Sequence, residues 1–286
     1  MFFRQLNLTE PLQQTAYSVR SSSLSLPAVA ARQREATAIQ FINRTFQGFG
    51  VYMFGKTARY YDDIYSFKNY KAEAEYLRAI FKEHQRSGGT RLLDVACGTG
   101  RHLEYLKDRY DVEGLDLSPE LLAIARQRHP GIRFHQADMT AFDLGKTFDI
   151  VTCLFSAIGY VKSPENLSRA VTCMPSHLKS GGVLVIEPWF TPDAWRPGTL
   201  HAIFVDEPEL KIARINTSFV TGRLSVFDLH YLIGTPEGTE HLVEHHELGL
   251  FTTEEMLAAL AAVGLEVTFG HKGLMGRGLC IGRRSY

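Results

Sequence analysis

Residues Leu92–Gly100, read Leu-Leu-Asp-Val-Ala-Cys-Gly-Thr-Gly, constrain the fold more than any other stretch of this chain. Apolar and β-branched positions around one acid predict a short buried strand, and the glycines behind it allow a tight turn that brings backbone close to a ligand. A helix is predicted to begin near Thr99 and run to Tyr110. Strand, glycine turn and helix together turn backbone N–H groups into a concave nest at the carboxyl end of a strand, which suits a nucleoside cofactor. Phosphate is a poor fit, because the stretch lacks the Gly-Lys-Ser/Thr ending of a P-loop. A dinucleotide-linked dehydrogenase fits poorly too, since Arg101–Leu103 stand where a third glycine belongs.

The next sixty residues repeat the strand–helix unit. Strand 112–115, helix 119–129, strand 132–136 and strand 148–154 alternate with a spacing that predicts right-handed βαβ crossovers and a buried parallel sheet. Acids fall at successive strand ends: Asp94, then Asp116 about twenty residues later, where an acid can hold both ribose hydroxyls, then Asp138. Ser118-Pro119-Glu120 already supplies the cap and first turn of the next helix, so Asp116 is expected to be free to face a ligand. Asp138 can accept a hydrogen bond from an adenine amino group, with Met139 against the ring; an acid after a strand is equally a turn former.

Beyond Leu154, small residues lead to Tyr160, whose hydroxyl can orient a nucleophile. Strand five, 182–187, ends in Glu187-Pro188-Trp189, a charge beside an indole suited to a cationic or hydroxylated small molecule, or else a core tryptophan with a surface acid. Upstream, Tyr60-Tyr61-Asp62-Asp63-Ile64-Tyr65 and Lys68-Asn69-Tyr70 precede a helix over 71–84. They read as a flap covering a ligand, with Tyr65 facing the substrate, or as a plug on the sheet edge. Residues 190–250 change to period two, predicting an antiparallel β insert after strand five that roofs the site or forms a subunit contact. In Glu244-His245-His246-Glu247, successive residues of a strand point to opposite faces, which argues against one shared metal ion, and no metal is expected. Thr252 and Glu255 form a capping box for a helix to Ala262, and a final strand pair brackets Gly276-Arg277-Gly278. Arg277 at that tip can make bidentate bonds to a phosphate or carboxylate, or stand in solvent.

With 31 basic and 31 acidic side chains, no pull toward nucleic acid or an anionic membrane is expected. The four cysteines have no paired spacing, which fits reduced thiols and a cytoplasmic setting. No apolar run is long enough to span a bilayer. Residues 1–52, serine-rich near Ser21 with scattered arginines, read as a poorly ordered extension with a faint likeness to a transit peptide; the recognisable domain is 53–286.

Asp94-x-x-x-Gly98-x-Gly100 resembles the first motif of class I S-adenosylmethionine-dependent methyltransferases. Taken with Ala137-Asp138-Met139, Phe155-Ser-x-Ile-Gly159, Glu187–Trp189, Val243-Glu-His245 and Gly276-Arg277-Gly278, the chain from about Phe54 to Arg283 resembles the TDP-amino-deoxysugar N,N-dimethyltransferases of the desosamine and mycaminose type. The resemblance implies an α/β, Rossmann-like sheet, S-adenosyl-L-methionine as cofactor, and a small-molecule acceptor such as a nucleotide-linked amino sugar. It implies cofactor contacts from Tyr70, Asp94, Ala96, Gly98, Gly100, Asp116, Leu117, Asp138, Met139 and Leu154. Substrate contacts would come from Tyr65, Tyr160, Glu187, Pro188, Trp189 and Arg277, with Tyr65 and Tyr160 as the catalytic residues, positioning the amine or accepting its proton through water rather than acting as strong bases. A homodimer is a further expectation. Two departures, a shorter loop between Tyr65 and Lys68 and tyrosine at 160 where a relative has histidine, lie on the substrate side. Another small amine or a carboxylate acceptor, or a non-catalytic cofactor-binding domain, are the alternatives.

Overall fold

Strand β1 (Arg91–Val95) lies at the centre of a seven-stranded sheet. The structure is a computed structural model that describes residues 55–285, so the expectation for residues 1–52 falls outside the described residues. After one helical turn at Tyr61–Ile64, α1 (Tyr70–His84) begins on the Asn69 side chain, which accepts from Ala72 N. The alternation continues with α2 (Arg101–Leu106), β2 (Asp111–Asp116), α3 (Pro119–Arg128), β3 (Arg133–Gln136) and β4 (Phe148–Cys153). Helix α2 is shorter than predicted at both ends: Gly100 adopts a left-handed conformation and delays its start, and beyond Leu106 the chain passes into turns that bring Arg109 N and Tyr110 N onto the Leu106 carbonyl.

Helix α4 (Pro164–Ser176) has no counterpart in the sequence reading, although Ser163-Pro164-Glu165 repeats the cap signature of Ser118-Pro119-Glu120. It leads into β5 (Leu178–Ile186), which starts four residues before the predicted strand. Next come β6 (Leu200–Glu207), β7 (Leu210–Thr221), β8 (Leu224–Thr235) and β9 (Gly238–Gly249), then α5 (Thr253–Ala262), β10 (Leu265–Gly270) and β11 (Leu279–Arg284).

The main sheet has the order β10-β11-β5-β4-β1-β2-β3, parallel from β5 through β3 with β11 antiparallel to its neighbours. Strand β1 pairs with both β2 and β4, so the chain reverses its direction of travel across the sheet there, and the carboxyl end of β1 opens on a crevice. Alternation along each strand feeds two cores. Leu92, Ile150 and Val183 pack beneath Leu77 and Phe81 of α1, Leu103 of α2 and Leu122 of α3; Leu93, Val95 and Leu184 pack beneath Leu167 of α4 and Leu260 of α5.

Strands β6–β9 form a separate antiparallel sheet, one strand more than the period-two stretches alone indicate. Its inner face carries Ile212, Phe227, Leu229, Tyr231 and Leu248, packed on Tyr60, Ile64 and Trp195. Among the described residues no helix is long and apolar enough to cross a membrane.

Candidate functional site

The strand tips and the inner face of the roof sheet enclose a cavity of about 1010 Å³. Pockets for one drug-sized ligand reach roughly 1,000 Å³ at most, so there is room here for a nucleoside and a second ligand. Ala96, Gly98, Asp116, Leu117, Asp138, Met139 and Leu154 line one part, and Tyr65, Tyr160, Trp189 and Arg277 line another. Of the expected site residues, Tyr70, Asp94, Gly100, Glu187 and Pro188 do not line it.

The glycine turn is built as its sequence demands. Gly98 has φ +56° and Gly100 φ +76°, and a Cβ at Gly98 would meet nothing within 4 Å. The backbone there is open to the cavity and can be approached closely. Ala96 also has positive φ, a strained conformation for a residue with a Cβ, held between β1 and the turn.

Asp116 lines the cavity and also carries two backbone bonds that the sequence reading does not foresee. Its Oδ2 accepts from Gly98 N at 2.8 Å and its Oδ1 from Ser118 N at 2.9 Å, so the carboxylate is the clamp of the glycine turn. Burial pushes its pKa up, opposed by those backbone donors. A carboxylate has about four lone-pair sites, so both oxygens keep capacity toward the cavity they line. Asp138 is both turn former and wall: Oδ1 accepts from Thr140 N and Oγ1, each at 2.8 Å.

Asp94 sits behind the wall. It is buried and accepts from Thr152 Oγ1 at 2.7 Å. Burial raises its pKa to about 6, against the lowering influence of His102 and the Thr152 bond. Because the folded value lies above the ordinary carboxylate value, the group's favourable contribution is complete below about pH 4 and is lost as pH rises through about 6. Asp94→Asn, which keeps the acceptor for Thr152, is therefore expected to stabilise the fold by about 3 kcal/mol at pH 7.5 and by about 0.5 kcal/mol at pH 4. Urea unfolding at the two pH values checks this; an Asn variant less stable than the parent at pH 7.5 refutes it.

On the roof side, the Tyr65 hydroxyl accepts from Arg214 Nη1 at 3.0 Å, and its ring meets Phe155 edge-on. Tyr160 Oη lies 2.9 Å from His246 Nδ1. The Trp189 indole donates to Ser225 Oγ at 2.8 Å and forms an aromatic cluster with Phe190, Trp195 and Phe227. Glu187 corrects a further expectation, while Arg277 lines the cavity. Glu187 is fully buried rather than at the pocket mouth; its Oε1 accepts from Arg277 Nη2 at 3.0 Å and its Oε2 from Phe155 N at 2.7 Å. Arg277 is therefore not a solvated tip: it also donates from Nε to Ser156 Oγ and lies over Trp189 and Phe190. Tyr70 is buried against the ring of His102.

Sequence reasoning misses a row on β7. Arg214, Asn216 and Ser218 alternate onto the inner face, all are buried, and all line the cavity. Arg214 Nε and Ser218 Oγ have no hydrogen-bond partner among the described residues, a costly state for buried polar atoms that a polar ligand would relieve. A signal exists in the sequence: the buried face of β7 is polar where the pattern rule expects apolar residues. His246 enters the sequence reading only as a rejected metal ligand. The alternation behind that rejection holds, with His246 buried and Glu244 partly buried on the inner face while His245 faces out toward Asp228.

A family profile described as a methyltransferase domain matches residues 92–182. The chain is 40% identical over 232 residues to a dTDP-3-amino-3,6-dideoxy-alpha-D-glucopyranose N,N-dimethyltransferase of Streptomyces fradiae, covering 80% of this chain and 91% of that one. It is 38% identical over 217 residues to a dTDP-3-amino-3,4,6-trideoxy-alpha-D-glucopyranose N,N-dimethyltransferase of Streptomyces venezuelae, covering 75% and 91%. Among solved structures, the fold matches S-adenosylmethionine-bound CalS10, an amino pentose methyltransferase of Micromonospora echinaspora, with a TM-score of 0.72 and 38% identity over 83% of this chain and all of that one.

Proposed function

Because the chain belongs to the S-adenosylmethionine-dependent methyltransferases, in the family of the amino-deoxysugar N,N-dimethyltransferases, we propose that its acceptor is the amine of a nucleotide-linked amino sugar. The observation that carries this reading is one continuous cavity joining the acid-tipped strand ends to a roof lined by tyrosine, arginine and histidine. The residues fit the cofactor: an open left-handed glycine, two carboxylates at adjoining strand tips and apolar Leu117, Met139 and Leu154 make a donor, acceptor and ring-stacking set for an adenosine. S-adenosylmethionine, when bound, supplies an electrophilic methyl group.

The chain's own residues then have to bind, align and dry the acceptor. In this reading Gly98, Asp116 and Asp138 hold the cofactor. Tyr65 and Tyr160, both neutral because burial raises their pKa values, set the amine's orientation by hydrogen bonding. Arg214, Asn216, Ser218 and the edge of Arg277 not used by Glu187 supply donors for a sugar and its phosphates, and Trp189 supplies a flat face. An amine needs little activation once neutral, so alignment and exclusion of water carry most of the rate. Asp94, Gly100, Glu187 and Tyr70 act from behind, by fixing the wall.

Incubation with S-adenosylmethionine and a panel of dTDP-linked amino sugars, read by mass, is expected to show stepwise gain of methyl groups on the amine. Cofactor binding without any such gain would overturn this acceptor class and favour another small amine or a carboxylate.

We also propose a homodimer in the cytoplasm. The outer face of the roof sheet exposes Phe204 (70%), Leu232 (54%) and Val243 (46%), more apolar surface than a solvated sheet face ordinarily carries. The four cysteines are free thiols, as a reducing compartment keeps them.

A further inference from the structure

The cavity wall at Tyr160 continues inward as a chain of titratable side chains. Strand β9 turns Glu244 and His246 to the inner face of the roof, and β8 pairs Phe227 with His246. The Phe227 ring stacks on the imidazole at 5.5 Å and 9°, which fixes its plane. His246 is 1% exposed, its Nδ1 meets the Tyr160 hydroxyl at 2.9 Å, and its Nε2 lies 3.5 Å from Glu244 Oε2. Glu244 is held in turn by Tyr231 Oη at 3.1 Å and by Thr57 Oγ1. Tyr160 and His246 both line the cavity, with the imidazole bonded to the hydroxyl and a carboxylate behind it; the three have the order of a nucleophile-type triad, with the hydroxyl facing the acceptor instead of attacking it.

We propose that Tyr160, His246 and Glu244 are a proton relay that carries the ammonium proton of the acceptor out of the cavity. The inference rests on the amine-methylation reading. The nitrogen's N–H bond breaks as Tyr160 Oη takes that proton, and the hydroxyl's own proton passes to His246 Nδ1. The resulting imidazolium lies beside the Glu244 carboxylate and returns its proton to water once product has left. Tyr160 takes the proton from the acceptor; His246, which shares the cavity wall with it, receives that proton from the hydroxyl, and Glu244 acts from behind.

The surrounding charges favour this direction. Burial works against an ionised Glu244, but bonds from His246, Thr57 and Tyr231 hold its pKa below the usual range, so the carboxylate is charged at neutral pH. Burial keeps the Tyr160 phenol from ionising, so it passes a proton through and does not act as a standing phenolate. From the neighbouring strands, Arg214 of β7 and Tyr231 of β8 face the same space; Arg214 lowers the Tyr160 pKa and Glu244 raises it. The relay also answers a need specific to repeated transfer: each alkylation leaves an ammonium, which must lose its proton before the nitrogen has a lone pair again.

Two variants and one spectrum test it. His246→Gln preserves a hydrogen-bond partner for Tyr160 without a basic nitrogen, and is expected to lower kcat by about a hundredfold while the acceptor KM stays within about threefold. S-adenosylmethionine affinity, read by calorimetry, should be unchanged and so reports folding. In His246→Ala, added 4-methylimidazole, imidazole and 1,2,4-triazole should restore turnover in order of their basicity. Histidine-selective 15N NMR of the parent protein should find Nε2 protonated and Nδ1 bare, with the signal assigned by its loss in His246→Gln. Full kcat in His246→Gln, rescue independent of basicity, or a protonated Nδ1 would each overturn the relay. A parent enzyme that methylates no amino-sugar nucleotide would overturn the substrate reading itself, whereas an active parent with an unimpaired Gln variant overturns the relay alone.

Discussion

Asp116→Ala is expected to raise the dissociation constant for S-adenosylmethionine by at least about a hundredfold, which corresponds to roughly 2.7 kcal/mol. The size follows from what the carboxylate does before any ligand arrives. It accepts from Gly98 N and from Ser118 N, which ties the glycine turn after β1 to the end of β2. Hydrogen bonds to a charged group are worth about 1.5–3 kcal/mol each, and truncation leaves both donors unpaired while removing the acceptor offered to the cofactor. Asp116→Asn retains one carbonyl acceptor and should cost only about tenfold. Isothermal titration of each variant measures the effect, and near-parental thermal unfolding of the Asn variant separates a binding defect from a folding defect. An Ala variant that binds within about threefold of the parent would remove Asp116 from the cofactor site.

How much of the fold and site is legible in the sequence depends on how far apart the cooperating residues lie. The glycine turn and the acids at 116 and 138 are legible because each sits within a few residues of the strand that positions it. The same local reading misses the backbone partners of Asp116, since its two donors come from a turn eighteen residues upstream and from Ser118, whose side chain draws attention as a helix cap while its N–H does not. The polar row of β7 needs the register of three hairpins before Arg214 can be seen to meet Tyr65, 149 residues earlier. His246 reaches Tyr160 across 86 residues by the same route. Alternation places such residues on one face; it does not say what the face covers. Helix α4 is a different kind of miss, because its Ser-Pro-Glu start is local and matches the start of α3.

The second large effect lies at Glu187, where distance in sequence hides a structural charge pair. Glu187→Ala is expected to destabilise the fold by about 3–5 kcal/mol, the range for removing one partner of a buried ion pair. Glu187 is fully buried, and it receives both Arg277 Nη2, ninety residues away on the loop before β11, and Phe155 N. Phe155 and Ser156 both have positive φ, so the turn after β4 is strained and depends on that carboxylate for its shape. Burial raises the Glu187 pKa while Arg277 and Lys68 oppose it, so the pair repays only part of its desolvation, and most of the loss in the Ala variant comes from the charge left behind. Loss of a contact alone would leave the double variant no better than the single one. Adding Arg277→Met to Glu187→Ala should instead recover about 1–2 kcal/mol relative to the single variant, because the orphaned guanidinium is gone. Urea denaturation of the two single variants and the double variant completes the cycle. A Glu187→Ala cost below about 1 kcal/mol, or strict additivity with Arg277→Met, would mean that the turn bearing Phe155 stands without the pair. The part of the cavity lined by Tyr65 and Arg277 would then owe its shape to packing of Phe155 on Tyr65 rather than to a charge anchored beneath it.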